Sequence, residues 1–201
     1  SGTAASSGTG ASLLYVGGAS GRGVMNLAST GTAAFGTATV NAPRIGGNDG
    51  VGDTGAGAVY QTSGTANWGR DGTYIELGTS AASAAPSAYG TYVLSGGTLD
   101  TNGGMRIGNG GHGVFHQSGG TSIFRRWFAI GASTGGSPSQ GVGVVNITGG
   151  SATVTGSNRI LICDRADNSG TLNIGTQAGG NGTLTVTSGT GITLLANASG
   201  K

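Results

Sequence analysis

The side chains that could carry chemistry are few in this chain. Its 201 residues include seven carboxylates, two histidines and one cysteine. Two acidic clusters stand among small residues: GGNDGVGD holds Asp49 and Asp53, and CDRADN holds Asp164 and Asp167. Closely spaced carboxylate oxygens are ligands that Ca²⁺ takes in loops, so these four acids are calcium candidates. The favoured interpretation, however, is that they form turns and that the chain has no cofactor.

Basic and aromatic residues occur together at one place in the sequence. Arg125, Arg126 and Trp127 are consecutive, and Arg159 is expected one repeat further on. Guanidinium groups beside an aromatic ring can contact a sugar or an anion, although an exposed face also carries such residues for solubility. We interpret these four residues as a candidate binding patch for surface glycans.

Catalysis finds little support in the pattern. Glycoside hydrolysis needs two carboxylates that converge on the bond to be broken, and the repeat alignment places the acids on different faces. His112 and His116 lie without a nucleophile and an acid in register. We therefore expect no enzyme and no catalytic residue. The alternatives are a polysaccharide lyase or hydrolase and, less favoured, an ice-binding protein.

A repeated cassette must position these side chains. It reads GAVYQTSGTAN at 57–67, GTYVLSGGTLD at 90–100, GVFHQSGGTSI at 113–123 and GVVNITGGSAT at 143–153. Apolar residues alternate within each copy, which is typical of a β-strand, and self-similarity at this period is typical of stacked coils. Three alternating segments per repeat predict three walls: the first before the turn, the second after it and the third at the end of the coil. The prediction is an all-β, right-handed parallel β-helix, a β-solenoid with three strands per coil, about seven coils and one domain over 1–201.

Two ladders are expected to run along this solenoid. The residues after the turn form a structural column of hydroxyls, Thr32, Thr65, Thr98, Thr121 and Ser151. Arg44, Glu76 and Arg106 share one outward column of the third wall. At an exposed site such ion pairs contribute about 0–1 kcal/mol each, so we expect this charge ladder to set register more than stability.

Composition limits the partners. There are 46 glycines, 8% charged residues and a net charge of +2 without a basic run, so nucleic acid is not an expected partner. No apolar stretch reaches the ~18 residues of a membrane span. Cys163 follows the apolar run RILI and is expected to be a buried thiol. The scarcity of Lys and Cys favours an extracellular location.

The segments SGGTL at 95–99, SGGTS at 118–122 and TGGSA at 148–152, each preceded by an alternating strand, resemble the repeats of autotransporter-like passenger domains and large bacterial surface adhesins. This resemblance implies a right-handed β-helix at the bacterial cell surface that acts as an adhesin, scaffold or stalk. We accordingly expect a non-enzymatic structural or adhesive module. Neither end of the chain shows a capping element, so we expect copies or adjoining solenoid segments to stack end to end.

Overall fold

The computed structural model describes residues 14–18, 20–35, 43–51, 54–69, 73–81, 87–132, 140–155, 160–165, 167–175, 181–187 and 192–194. For 48–51, 81 and 192–194 only the backbone is described. Every element in these ranges is a β-strand.

The strands, in chain order, are β1 (Tyr15–Val16), β2 (Arg22–Leu27), β3 (Thr32–Phe35), β4 (Arg44–Val51), β5 (Ala56–Gln61), β6 (Thr65–Trp68), β7 (Tyr74–Ala81), β8 (Tyr89–Leu94), β9 (Thr98–Thr101), β10 (Gly104–Asn109), β11 (His112–Gln117), β12 (Thr121–Phe124), β13 (Phe128–Ala132), β14 (Val142–Ile147), β15 (Ser151–Val154), β16 (Ile160–Ile162), β17 (Ser169–Ile174), β18 (Thr183–Val186) and β19 (Ile192–Leu194).

Three parallel sheets form the walls of the solenoid. The first wall has the order β17-β14-β11-β8-β5-β2, the second β18-β15-β12-β9-β6-β3, and the third β1-β4-β7-β10-β13-β16-β19. Each strand pairs with the one three places further along the chain, so three strands make one coil. The predicted β-solenoid with three strands per coil is confirmed. The predicted coil number is not: the described strands make six complete coils and one additional third-wall strand, β1, rather than seven coils.

The interior follows the predicted alternation. The largest fully buried side chains include Trp68, Tyr92, Phe115, Phe124 and Phe128. Their rings contact one another in succession from coil to coil, and Phe124 and Phe128 stack with centroids 4.2 Å apart. Ile174 also occupies a predicted inward position, yet it is 49% exposed, because β17 is the last described strand of its sheet and no described coil covers it.

Two glutamines occupy the interior corner between the first and second walls. The amide of Gln117 donates to the carbonyl of Gly120 in its own turn at 3.2 Å and to that of Ser151 in the next coil at 3.0 Å, while its Oε1 accepts from the Ser122 hydroxyl at 2.7 Å. Gln61 makes the equivalent amide contacts with Gly64 and Thr98. The hydrogen-bonding groups of these two core glutamines are therefore satisfied, and their hydrogen bonds link one turn to the next coil.

The corner after the third wall depends on close backbone approach. Gly131 has φ +64°, and a Cβ added there would lie 2.3 Å from the carbonyl oxygen of Ser169. The same left-handed glycine occurs at this corner in earlier coils, but after β16 the residue aligned with Gly131 is Cys163, with φ +57°. Cys163 is the one non-glycine among the described residues with positive φ.

Candidate interaction surface

The outer side of the first wall is a sheet face on which apolar and polar side chains are equally numerous. Because side chains alternate along a strand, each of the six strands points three residues outward in matching columns. We call these side chains the first-wall face; they are Arg22, Val24, Asn26, Ala56, Ala58, Tyr60, Tyr89, Thr91, Val93, His112, Val114, His116, Val142, Val144, Asn146, Ser169, Thr171 and Asn173.

This face is exposed and nearly uncharged. Val24 is 68%, Tyr89 53% and Tyr60 42% exposed, and Arg22 is its one formally charged residue besides the two histidines. Six strands about 4.8 Å apart, with three outward residues each, give the face an area of roughly 300–400 Å². Half of its outward residues are apolar, and contiguous apolar patches on a protein surface are candidate interaction sites.

The rings of Tyr89 and His112 stack on this face. Their centroids are 4.6 Å apart and their planes differ by 5°, and the two residues are paired on adjacent strands β8 and β11. The centroid separation matches the spacing between neighbouring strands, so the stack runs along the solenoid axis. The residues in register on successive strands therefore form a column along the axis, and each ring occupies one position of it, which we call a rung.

Among the described residues, no ring continues the column at its next rung. Ala56 of β5 is the strand partner of Tyr89, and Arg22 of β2 is the partner of Ala56. A methyl group cannot cover a phenol ring, which agrees with the high exposure of Tyr89. Beside Ala56 the same strand carries Ala58 outward, so the floor of the rung is small and apolar. This opening between Arg22 and Tyr89 is called the Ala56 slot below.

The charge ladder of the third wall exists but is not exposed. Arg44 Nε lies 3.1 Å from Glu76 Oε2, and Arg106 Nη1 lies 3.0 Å from Glu76 Oε1. The Glu76 side chain is 5% exposed, and the buried amide of Asn109 also donates to its Oε1 at 3.0 Å. The expectation of a solvent-exposed ladder is therefore wrong. The register is as predicted, since the strand partners of Glu76 are Arg44 and Arg106.

The predicted glycan patch is only partly assembled in the described chain. Arg125 forms a bidentate pair with Asp100, with nitrogen–oxygen distances of 2.8 and 2.6 Å. These hydrogen bonds raise the pKa of the Arg125 guanidinium, against a smaller effect of desolvation. The Trp127 ring packs near that of Tyr74, with centroids 6.3 Å apart, and Arg126 is half-buried. Arg159 lies outside the described residues.

The calcium candidates are also only partly within the described residues. Asp53 and the side chain of Asp49 lie outside the described residues. Asp164 accepts a hydrogen bond from the side chain of Asn168, and Asp167 is exposed. In the part of the chain with described side chains, no three His, Cys, Asp or Glu residues are grouped closely enough to hold a metal ion.

The hydroxyl column of the second wall has the predicted register. Thr32, Thr65, Thr98, Thr121 and Ser151 pair in succession from β3 to β15. Ser151 Oγ lies 3.5 Å from Thr121 Oγ1. The neighbouring outward column begins with Ala34, Asn67, Asp100 and Ile123, and only its last two members, Thr153 and Thr185, carry hydroxyls, so it does not form a second continuous row.

Cys163 is not buried as expected. It is half-buried because it lies at the left-handed corner rather than on an inward strand position. Burial raises the pKa of its thiol, opposed by a hydrogen bond from the Gly170 backbone.

A cavity of about 330 Å³ opens at the first described coil. Its walls include Met25, Leu27, Ala33 and Phe35, which are inward residues of β2 and β3. These are the edge strands of their sheets, so the cavity lies at the end of the core as far as the described residues define it. Among the described residues no helix is long and apolar enough to cross a membrane.

The chain matches no protein-family model. It also matches none of the curated proteins and none of the solved structures. The geometry therefore supplies the functional argument.

The first-wall face was missed as a candidate site, although its signal is present in the sequence. Between the inward residues of each first-wall strand stand Val24, Ala58, Thr91, Val114 and Val144. On a strand with one solvated face these positions are usually polar. An apolar residue at the same outward position in four of six coils, with threonine in the other two, is the signal that predicts a surface with a partner.

Proposed function

We propose that this chain is a non-enzymatic extracellular module, a stalk or adhesive segment of a bacterial surface. The observation that supports this proposal is that two of its carboxylates are held by neighbouring side chains. Glu76 is enclosed by two arginines and Asn109, and Asp100 is held by both nitrogens of one arginine edge. An acid or base in catalysis must reach its substrate, and these two carboxylates are committed to neighbouring side chains.

The architecture supports a rod. Each coil pairs with its neighbours along three continuous parallel sheets, and the interior is filled by side chains rather than by a channel. Such a solenoid holds its surface groups at fixed spacing along one axis, which suits display and adhesion. Surface glycans are the proposed partners of the patch formed by Arg125, Arg126 and Trp127.

Glycan retention and glycan cleavage should be measured together on the same panel of plant, algal and bacterial polysaccharides. We expect retention of some glycans without any release of shorter products. Turnover that disappears in Asp100→Asn or Asp167→Asn would reject the non-enzymatic role and favour a polysaccharide lyase or hydrolase. Arg126→Gln tests the binding patch separately: it should reduce the retention of glycans without affecting the fold.

A further inference from the structure

We propose that the Ala56 slot on the first-wall face binds an aromatic side chain of a partner protein. This proposal goes beyond the adhesive role above and does not depend on it, because the slot and the Arg125 patch lie on different walls. It rests on one juxtaposition: the stacked pair of Tyr89 and His112 is followed by Ala56, where no ring of the described chain continues the stack, and the next strand carries the guanidinium of Arg22.

The shape of the slot selects a flat group. His112 covers one face of the Tyr89 ring at 4.6 Å with nearly parallel planes, and the opposite face is turned toward Ala56. Arg22 and Tyr89 are two strands apart, which is about 9.6 Å at the normal spacing of parallel strands. A planar ring placed over Ala56 would continue the existing stack at its own spacing.

The chemistry of the slot selects an aromatic ring. Stacked rings attract one another at centroid distances of about 4.5–7 Å, and an arginine can lie over the other face of the same ring. An aromatic side chain would gain both contacts at once. A sugar ring needs hydrogen-bond partners for its hydroxyl groups, and Ala56 and Ala58 on the floor offer none.

The size of the face argues against a second copy of this chain. A stable protein interface buries about 800 Å² on each partner, which is roughly twice the area of the first-wall face. A partner that inserts one aromatic anchor and lies along the strands needs less area. Such anchors carry much of the affinity in small interfaces.

The test is binding of a short aromatic peptide followed by NMR. Acetyl-Gly-Trp-Gly-amide is titrated into the full chain, with acetyl-Gly-Leu-Gly-amide and methyl β-glucoside as matched probes. We expect the ring signals of Tyr89 and His112 to shift with the tryptophan peptide alone, with a Kd on the order of 1 mM. Arg22→Gln should weaken binding about two- to fivefold, in line with an exposed cation–π contact.

Three further variants keep the test decisive. Ala56→Phe fills the slot from within, so it should abolish binding while leaving the melting temperature unchanged or higher, since it adds a cross-strand aromatic pair. Ser169→Phe adds the same ring to the same column, away from the slot, and should bind as the wild type does. Tyr89→Ala removes the stacking platform without filling the slot and should lower affinity at least about fivefold.

Several results would overturn the proposal. Equal binding of the leucine peptide would show a merely apolar surface, and shifts caused by the glucoside alone would assign the slot to sugars. Unchanged binding by Ala56→Phe would place the peptide elsewhere. Concentration-dependent self-association of the wild type that Ala56→Phe abolishes would assign the slot to a second copy.

Discussion

Arg106 and Glu76 lie directly opposite each other on neighbouring strands of the third wall, with Nη1 and Oε1 3.0 Å apart. The guanidinium of Arg106 also lies over the Tyr74 ring, 3.9 Å from its centroid. Both residues occupy outward strand positions, yet their ion pair is enclosed, because the aromatic side chain of Tyr74 and the amide side chain of Asn109 pack around it. The pair consequently resists solvent screening more than an exposed pair does.

The enclosed ladder predicts unequal costs for two similar arginines. We expect Arg106→Ala to lower the free energy of unfolding by about 1–3 kcal/mol, because it removes a charge-assisted hydrogen bond from a buried carboxylate. Arg125→Ala breaks an exposed pair, and its cost should stay within about 1 kcal/mol. Urea melts of both variants provide the measurement. Equal costs would contradict the enclosed position of Glu76.

Neighbouring valines on β14 test which side faces the core. Val145 is fully buried and Val144 points outward on the first-wall face. Val145→Asp places an unpaired charge in an apolar interior and should cost several kcal/mol. Val144→Asp leaves its carboxylate near water and should cost about 1 kcal/mol or less. Circular dichroism melts would show the difference, and a similar loss for both would mean that the inward face is misassigned.

The corner after the third wall predicts a contrast between two aligned residues. Gly131→Ala should cost more than about 2 kcal/mol, since it combines a left-handed backbone with a methyl group placed against the Ser169 carbonyl. Cys163→Gly should change stability by less than about 1 kcal/mol, because the relieved backbone strain offsets the greater freedom of the unfolded chain. Denaturant titration of the two variants is sufficient. A tolerated Gly131→Ala would contradict the close approach of the coils.

The corner glutamines predict a coupling that a double-mutant cycle can measure. Gln117→Leu removes the acceptor of the buried Ser122 hydroxyl, and an orphaned hydroxyl costs about 1–3 kcal/mol. Adding Ser122→Ala should recover part of this loss, so the double variant should be more stable than the sum of the single effects predicts. Strict additivity of the two changes would show that the hydrogen bond contributes little.

The thiol of Cys163 should react slowly near neutral pH. Burial raises its pKa in the folded chain, so at a given pH a smaller fraction is thiolate than in the unfolded chain. Alkylation by iodoacetamide should accelerate as the pH rises above the ordinary range of a cysteine. The same chain in urea is the control. A folded-state rate at or above the unfolded rate at pH 8 would refute the raised pKa.

The walls of the solenoid could be predicted from the sequence because the period of two is strict. Val59, Tyr92, Phe115 and Val145 alternate with outward residues in register from coil to coil, and the structure buries all four. The inward polar residues Gln61 and Gln117 were also predictable, because they share columns with apolar residues in other coils. Which residues point inward is therefore encoded in the local sequence of each strand.

The environment of the outward residues could not be predicted in the same way. Alternation places Glu76 and Val114 outward alike, but Glu76 is 4% exposed while Val114 lies on the open first-wall face. What covers an outward residue depends on neighbours from other coils, such as Asn109 beside Glu76, and a single strand does not contain that information. The pairing of Tyr89 with His112 also becomes visible only when the coils are aligned.

The direction of the ladder hydrogen bonds has a mechanical consequence. They run along the solenoid axis, so a force that pulls on the end of the chain breaks the bonds of a terminal coil one after another while the interior coils stay paired. Tyr89 and His112 are adjacent across the wall but 23 residues apart in the chain, and Arg22 and Ala56 are 34 apart. A pulled rod would therefore lengthen in steps of roughly 75–120 Å, one coil at a time, at about 3.3–3.6 Å for each released residue. A tether built this way would yield gradually under tension and shorten again as the coils rewind.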